Sequence, residues 1–331
     1  MVYSASGPSR RFDRRPAGRR LAAVAVLGLL LAAPLFVSDY RLFQIGLIAS
    51  TSIITAGLVI VTGIAGQVSL AQAAFAALGA YGSTLFALRV GIPQWIGLPL
   101  TAAAVGASGF VLGLLTLRVE GHNLALATMA LTAIVQVVIV HWEFLTGGAL
   151  GLAVPPLRIG DTPLTSSVAL YYLIIPVTVV MFAVAANLLN SRIGRAFAAL
   201  RQSEVAAQSS GVNVLHYKAL AFAVSAVFGA VGGGLQALQT TYLDPQAFGI
   251  LDSVLFIAII VIGGFRSMAG AVLGSAVFTV IPAMLGAFQA YKGFVFALLL
   301  LVVIVLFPSG LASLGPVVLD AVRFRIAKSA K

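Results

Sequence analysis

Leu42-Phe-Gln-Ile-Gly-Leu-Ile-Ala-Ser-Thr-Ser-Ile-Ile-Thr-Ala-Gly-Leu-Val-Ile-Val-Thr62 carries no ionisable side chain over its whole length. A helix of about 20 such residues, rising 1.5 Å per residue, crosses the ~30 Å hydrocarbon layer of a bilayer. Working outward, comparable apolar runs occupy residues 21–37, 70–88, 96–117, 124–140, 168–189, 219–239, 248–264, 269–287 and 294–307. The composition agrees. The 331 residues are 60% hydrophobic and 9% charged, with mean hydropathy +1.08, whereas soluble domains carry about 25% charged residues. These observations predict an all-α polytopic transmembrane bundle of about ten spans.

The net charge of +11 raises the question of nucleic acid. The basic residues form no stripe on a soluble element. They lie in short segments between apolar runs, as the positive-inside rule places them. With ten spans, both termini share one side. Of the 20 Lys and Arg, 16 then fall on that side, including Arg10, Arg11, Arg14, Arg15, Arg19, Arg20, Arg192, Arg195, Arg201, Lys218 and Arg266. Arg41, Arg89, Arg158 and Lys292 fall on the other. Both termini are therefore expected in the cytoplasm, with no nucleic acid partner and with lipid around the bundle. The arginines before residues 21–37 also outline a signal peptide, with Ala32-Ala33 near the cleavage position. The length of the run, and the lack of an exported domain behind it, favour a retained helix.

With these boundaries no ionisable side chain is left for mid-membrane. Asp39, Glu143, Asp161, Asp244 and Asp252 are placed outside, and Asp13, Glu120, Glu204 and Asp320 inside. Proton-driven carriers use intramembrane Asp, Glu or His, so that class is disfavoured; sodium coupling through carbonyls and hydroxyls stays open. The chain has no cysteine, no His-Glu-x-x-His pair and no phosphate-cradling loop. A transporter subunit is expected rather than an enzyme, without cofactor, metal or nucleotide site of its own. Any driving force would come from a partner.

Four features carry the remaining information. Gly63-Ile-Ala-Gly66-Gln67-Val-Ser69 interrupts the apolar region with two glycines and uncharged polar groups. It reads either as an ordinary turn or as non-helical backbone lining a transport path. Gln136 is the clearest polar side chain deep in a span, lining the path or bonding a neighbouring helix. In the loop 190–217, Ile193, Phe197 and Leu200 share one helical face. That face fits either a groove on another protein or the membrane surface. The pairs Gly109/Gly113, Gly229/Gly233 and Gly270/Gly274 read as seams where helices pack closely.

Taken in order, several blocks resemble a known family. They are Gly66-Gln67-Val-Ser69-Leu, Arg118-Val-Glu120-Gly121, Trp142-Glu143-x-Leu-Thr146-Gly147-Gly148, Ile193-Gly194-Arg195-Ala196, Gly211-Val-Asn213, Asp244-Pro245-x-x-Phe248-Gly249, Gly263–Gly274 and Phe307-Pro308-x-Gly310-Leu311. The chain looks like a branched-chain amino acid ABC transporter permease of the LivM type.

The resemblance implies a basic N-terminal segment (1–20), a permease transmembrane domain (21–315) and a basic tail (316–331), in a bacterial inner membrane. It implies a second permease subunit of the LivH type, two ABC ATPase subunits, a periplasmic solute-binding protein and an amino-acid substrate. Loop 190–217 would couple to the ATPases through Arg195, Glu204, Ala206, Ala207 and Gly211. In this chain Val205, not glutamate, directly precedes the Ala pair. Gln67, Ser69 and Gln136 are candidates for the translocation path. Ser69-Leu-Ala-Gln72-Ala departs from the family's common Ser-Leu-Gly-His-Ala, and Gln72 cannot titrate. The alternatives are a passive channel or facilitator, or a permease for urea, amides or aromatic acids.

Overall fold

The computed structural model describes residues 34, 36–115, 122–159, 162–164, 166–284 and 311. The segment 1–20, most of the run 21–37, the run 294–307, the tail 316–331, and Arg118, Glu120 and Asp161 lie outside these residues.

The described residues are mostly helical. Helix α1 (Asp39–Leu58) continues as a π-helical turn, Val59–Ile64, and α2 (Gln72–Leu85) continues as Phe86–Val90. Then come α3 (Gln94–Leu115), α4 (His122–His141) and α5 (Ser167–Asn190). The short helices α6 (Arg192–Gln202) and α7 (Glu204–Ser209) lead into α8 (Val214–Thr240). Helices α9 (Ile250–Gly263) and α10 (Met268–Met284) follow.

Among the described residues six helices are long and apolar enough to cross a membrane, and α9 with α10 makes a seventh if counted as one bent span. The six match the runs predicted from 42 to 239. The next two predicted spans behave differently. Helix α9 has 14 residues and rises about 21 Å, and the described part of α10 has 17. They meet at 117°, across a break that begins at Gly264, whose φ of +120° ends α9.

Helix α8 is the hub, packed against α1, α2 and α3. Backbones approach because side chains are missing at the contacts. A Cβ on Gly229 would lie 2.8 Å from that of Phe75, and one on Gly233 would strike the Ala76 backbone. Gly109 and Gly113 of α3 meet Ala226 and Ala219 of α8, and Gly270 and Gly274 of α10 meet Gly263 and Ile259 of α9. All three glycine pairs are packing seams, where dispersion contacts substitute for the hydrophobic effect that lipid cannot supply. By contrast α4 and α5 turn apolar faces outward, including Leu126, Ile134, Val137, Val179 and Val180.

The two ends of the bundle differ. One end, called the basic face here, gathers Arg192, Arg195, Arg201 and Arg266 around α6, α7 and the α9–α10 break. At the other, the long loop after α4 folds into a turn (Glu143–Thr146) and two small pairings. Strand β1 (Leu152–Ala153) pairs with β4 (Tyr242–Leu243), and β2 (Leu157–Ile159) with β3 (Thr162–Leu164). Arg89 donates to the Phe144 carbonyl at 2.6 Å and lies over its ring, tying the end of α2 to this cap.

Candidate functional site

Between the π-helical turn and α2, residues 66–71 are not helical. Their depth follows from Gln72, which opens α2 and is fully buried. Its amide donates to the Ile54 carbonyl at 2.6 Å and accepts from Ser225 Oγ at 2.9 Å. Ile54 is ten residues from Ile64, about 15 Å along the helix and halfway through the hydrocarbon layer. So α2, which with its continuation still has 19 residues, starts near the midplane, and an extended segment leads up to it.

Backbone at such depth must find partners within the protein. Gln67 N–H donates to the Val61 carbonyl (2.9 Å), Ser69 N–H to Thr62 Oγ1 (3.3 Å) and Ala71 N–H to Ser69 Oγ (3.3 Å). The Leu70 peptide is held from both sides by α4. Its N–H donates to Thr128 Oγ1 at 2.9 Å, and its carbonyl accepts from Thr132 Oγ1 at 2.7 Å. Ser69 is thus a buried bonding group, and Gln72 fastens three helices together.

A second interruption faces the first. After β4, residues 244–249 descend without a helix long enough to span, and α9 begins at Ile250. Ser253 Oγ, in its first turn, accepts from Ala73 N–H in the first turn of α2 at 3.2 Å. Gly249 lies against the Gln136 amide, so closely that an added Cβ would come within 3.2 Å of Nε2. Thr128, Thr132 and Gln136, four residues apart on one face of α4, therefore touch both interruptions.

Asp252 corrects the expectation of an interior free of charge. Its Oδ2 accepts from Gly249 N–H at 3.1 Å. It lies eleven residues above Gly263, about 16 Å, and the next residue bonds to the midplane start of α2. The carboxylate is half-buried at mid-depth rather than outside, because α9 is short and the chain dips to meet it. An apolar cavity of about 250 Å³ reaches the extended segment at Ala71 from between α3, α4 and α8, lined among others by Thr128, Leu131, Ile134 and Phe222.

At the basic face, α6 uses its apolar side on its own bundle. Phe197 and Leu200 are buried, and Phe197 meets Tyr217 edge to face. This replaces both expectations for that side, a groove on another protein and the membrane surface. Arg195 is left exposed. Arg201 packs its stem on Gly66 but stays exposed; partial burial first, and then neighbouring Arg266, lower its pKa. In α7, Ala206 is exposed and Ala207 buried. Gly211 follows with φ +82° and open space where a Cβ would be. Glu204 turns inward to Lys218, whose side chain is 3% exposed, at 2.6 Å, and Gln67 Nε2 lies 3.4 Å from its other oxygen. Val205 instead points out, 76% exposed.

Among the residues proposed from sequence, the structure brings Gln67 to Glu204, Ser69 into the extended segment and Gln136 to the second interruption. Sequence reasoning missed Thr128, Thr132, Asp252 and Ser253. The i, i+4, i+8 polar stripe Thr128–Thr132–Gln136 on an otherwise apolar helix was a usable signal.

Residues 41–304 match the family described as "Branched-chain amino acid transport system / permease component". The chain belongs to this family. It is similar to the high-affinity branched-chain amino acid transport system permease protein LivM of Escherichia coli (strain K12), 29% identical over 94% of this chain and 79% of that protein. LivM of Salmonella typhimurium is 28% identical over the same shares. A probable branched-chain amino acid transport permease LivM of Methanocaldococcus jannaschii is 20% identical over 66% of this chain and 69% of its own length. No solved structure matches. As a member of the permease family, the chain is a membrane component of a transport system, and the two facing helix interruptions are the part of it with unusual backbone at depth.

Proposed function

We propose that this chain is the membrane-spanning permease subunit of an ATP-driven importer for branched-chain or other hydrophobic amino acids. The observation that carries the reading is the meeting of two helix starts at mid-depth, α2 at Gln72 and α9 at Ile250. Transporters place substrate sites at such discontinuities because non-helical backbone and helix termini offer polar partners where lipid offers none. Asp252 supplies a carboxylate for an ammonium group. The apolar cavity beside Ala71 suits an aliphatic side chain.

In this reading residues 21–315 form the transmembrane domain, of ten spans counting the bent pair as two, with both termini in the cytoplasm of a bacterium and its inner membrane around the bundle. The basic ends 1–20 and 316–331 flank it. Loop 190–217 meets two ATPase subunits through Arg195, Ala206 and Gly211. A second, LivH-type permease covers an exposed apolar face, and a periplasmic binding protein delivers the solute at the end capped by β1–β4. The relatives' names support the solute class.

The test is uptake of labelled leucine into liposomes holding the purified permeases, ATPases and binding protein. Uptake is expected only with ATP and binding protein together. Flux through the permease without ATP would replace this reading with a facilitator, and dependence on a sodium gradient with a coupled carrier.

A further inference from the structure

We infer that Glu204, Lys218 and Gln67 form a positioning joint that passes movement of the coupling helix α7 to the mid-membrane segment 66–71. The inference rests on the ATP-driven reading above. In that reading the ATPases move α7, yet α7 has six residues and does not reach the midplane. Something must carry its displacement some 15 Å upward.

Glu204, the first residue of α7, is bonded on two sides. One oxygen is 2.6 Å from Lys218 Nζ, and the other 3.4 Å from Gln67 Nε2. Lys218 belongs to the first turns of the hub helix α8 and is 3% exposed. A buried ammonium without its counter-ion is strongly unfavourable, so Glu204 is held to Lys218 in whatever position α7 takes. Among the described residues Glu204 is the one carboxylate at the basic face, the end where Arg192, Arg195, Arg201 and Arg266 also lie.

Gln67 is the input side of the segment. It follows Gly66, whose left-handed turn (φ +78°) packs on Arg201, the last arginine of α6. From there the extended chain rises to Leu70, Ala71 and α2. Beyond the joint the segment is fixed to α4, α1 and itself by hydrogen bonds, and it carries no packed helix of its own. Such bonds are directional and can be exchanged for others at small net cost, whereas the glycine-packed hub around α8 has no room to yield. A push on α7 is therefore taken up by segment 66–71. The arrangement also accounts for the sequence: glutamate one place before the usual position faces the permease itself, leaving Val205 to face outward.

The experiment uses the complete complex in liposomes and reads uptake per ATP hydrolysed, alongside co-purification of the ATPases. Gln67→Leu keeps the ion pair and removes the link; a drop of about tenfold in uptake per ATP is expected, with the ATPases retained and the substrate concentration for half-maximal uptake unchanged within about twofold. The double variant Glu204→Gln/Lys218→Met removes the charges together and avoids a lone buried ammonium. It is expected to show the same loss, and adding Gln67→Leu to it should cause no further drop. An unchanged coupling ratio in Gln67→Leu would overturn the joint. So would a shift only in half-maximal concentration, which would make Gln67 a path residue, or loss of the ATPases from the double variant, which would make Glu204 a docking contact. If the unsubstituted complex shows no ATP-dependent uptake, the ATP-driven reading itself fails.

Discussion

Replacing Thr128 or Thr132 with valine keeps volume and removes one of the two bonds to the Leu70 peptide. Thr128→Val strands a buried N–H that now donates at 2.9 Å; Thr132→Val strands a carbonyl now accepting at 2.7 Å. A buried group left unsatisfied costs about 1–3 kcal/mol, while interhelical bonds measured within membranes average about 0.6 and reach roughly 1.7. The segment has no helix to fall back on, so the upper membrane figure applies: about 1.5 kcal/mol for each substitution. The double variant should cost less than twice that, because both bonds hold the one residue Leu70 and freeing one side lets the other reorient. With about 2–4 °C per kcal/mol for mid-sized domains, each single variant should melt roughly 3–6 °C lower in detergent. Thr84→Val is the control. Its hydroxyl is equally buried but donates to Ala80 one turn back at 2.8 Å, to a carbonyl the helix already engages. Equal small shifts in all three would refute the claim that α4 holds segment 66–71 in place.

Three further outcomes are expected. Gly66→Ala forces a Cβ into left-handed backbone 3.1–3.2 Å from Arg201 and should cost about 1–2 kcal/mol, read as a melting shift without loss of the helical circular dichroism signal. Gly211→Arg meets open space but puts a Cβ on left-handed backbone (φ +82°), a cost of about 1–2 kcal/mol that the bundle can bear, so the permease should remain folded while co-purification of the ATPases falls several-fold; normal recovery would remove Gly211 from the contact. Asp252→Asn retains an acceptor for Gly249 N–H but not the charge, and should lower leucine uptake roughly 10–100-fold, the worth of about 1.5–3 kcal/mol for a hydrogen bond to a charged group. Wild-type uptake would leave Asp252 as a helix cap only.

The bundle was legible because an apolar run of span length has few other uses, and the runs from 42 to 239 each became a helix within a few residues of the expected ends. What the sequence concealed was depth. Residues 70–88 read as one span because Leu70 and Ala71 are apolar whether helical or extended. Only their partners, Thr128, Thr132 and Ile54, show that the helix starts at Gln72. Likewise 248–264 and 269–287 have the composition of two crossings. The length of α9 and the 117° break make them a bent pair, and that is what moves Asp252 from the surface to mid-depth. The amphipathic side of α6 was legible as a face, but hydrophobic periodicity does not name the surface it meets.

The glycine-lined contacts around α8 have a consequence for how this lineage can change. A methyl group at Gly229, Gly233 or Gly113 collides with a neighbouring backbone or Cβ, so the faces at which α2, α3 and α8 meet admit almost no variation in side-chain size. Variation is least constrained at exposed positions of α4 and of the opening turn of α9, such as Ile134 and Leu251. New solute preferences can therefore arise by drift on two surfaces while the scaffold that aims them stays fixed.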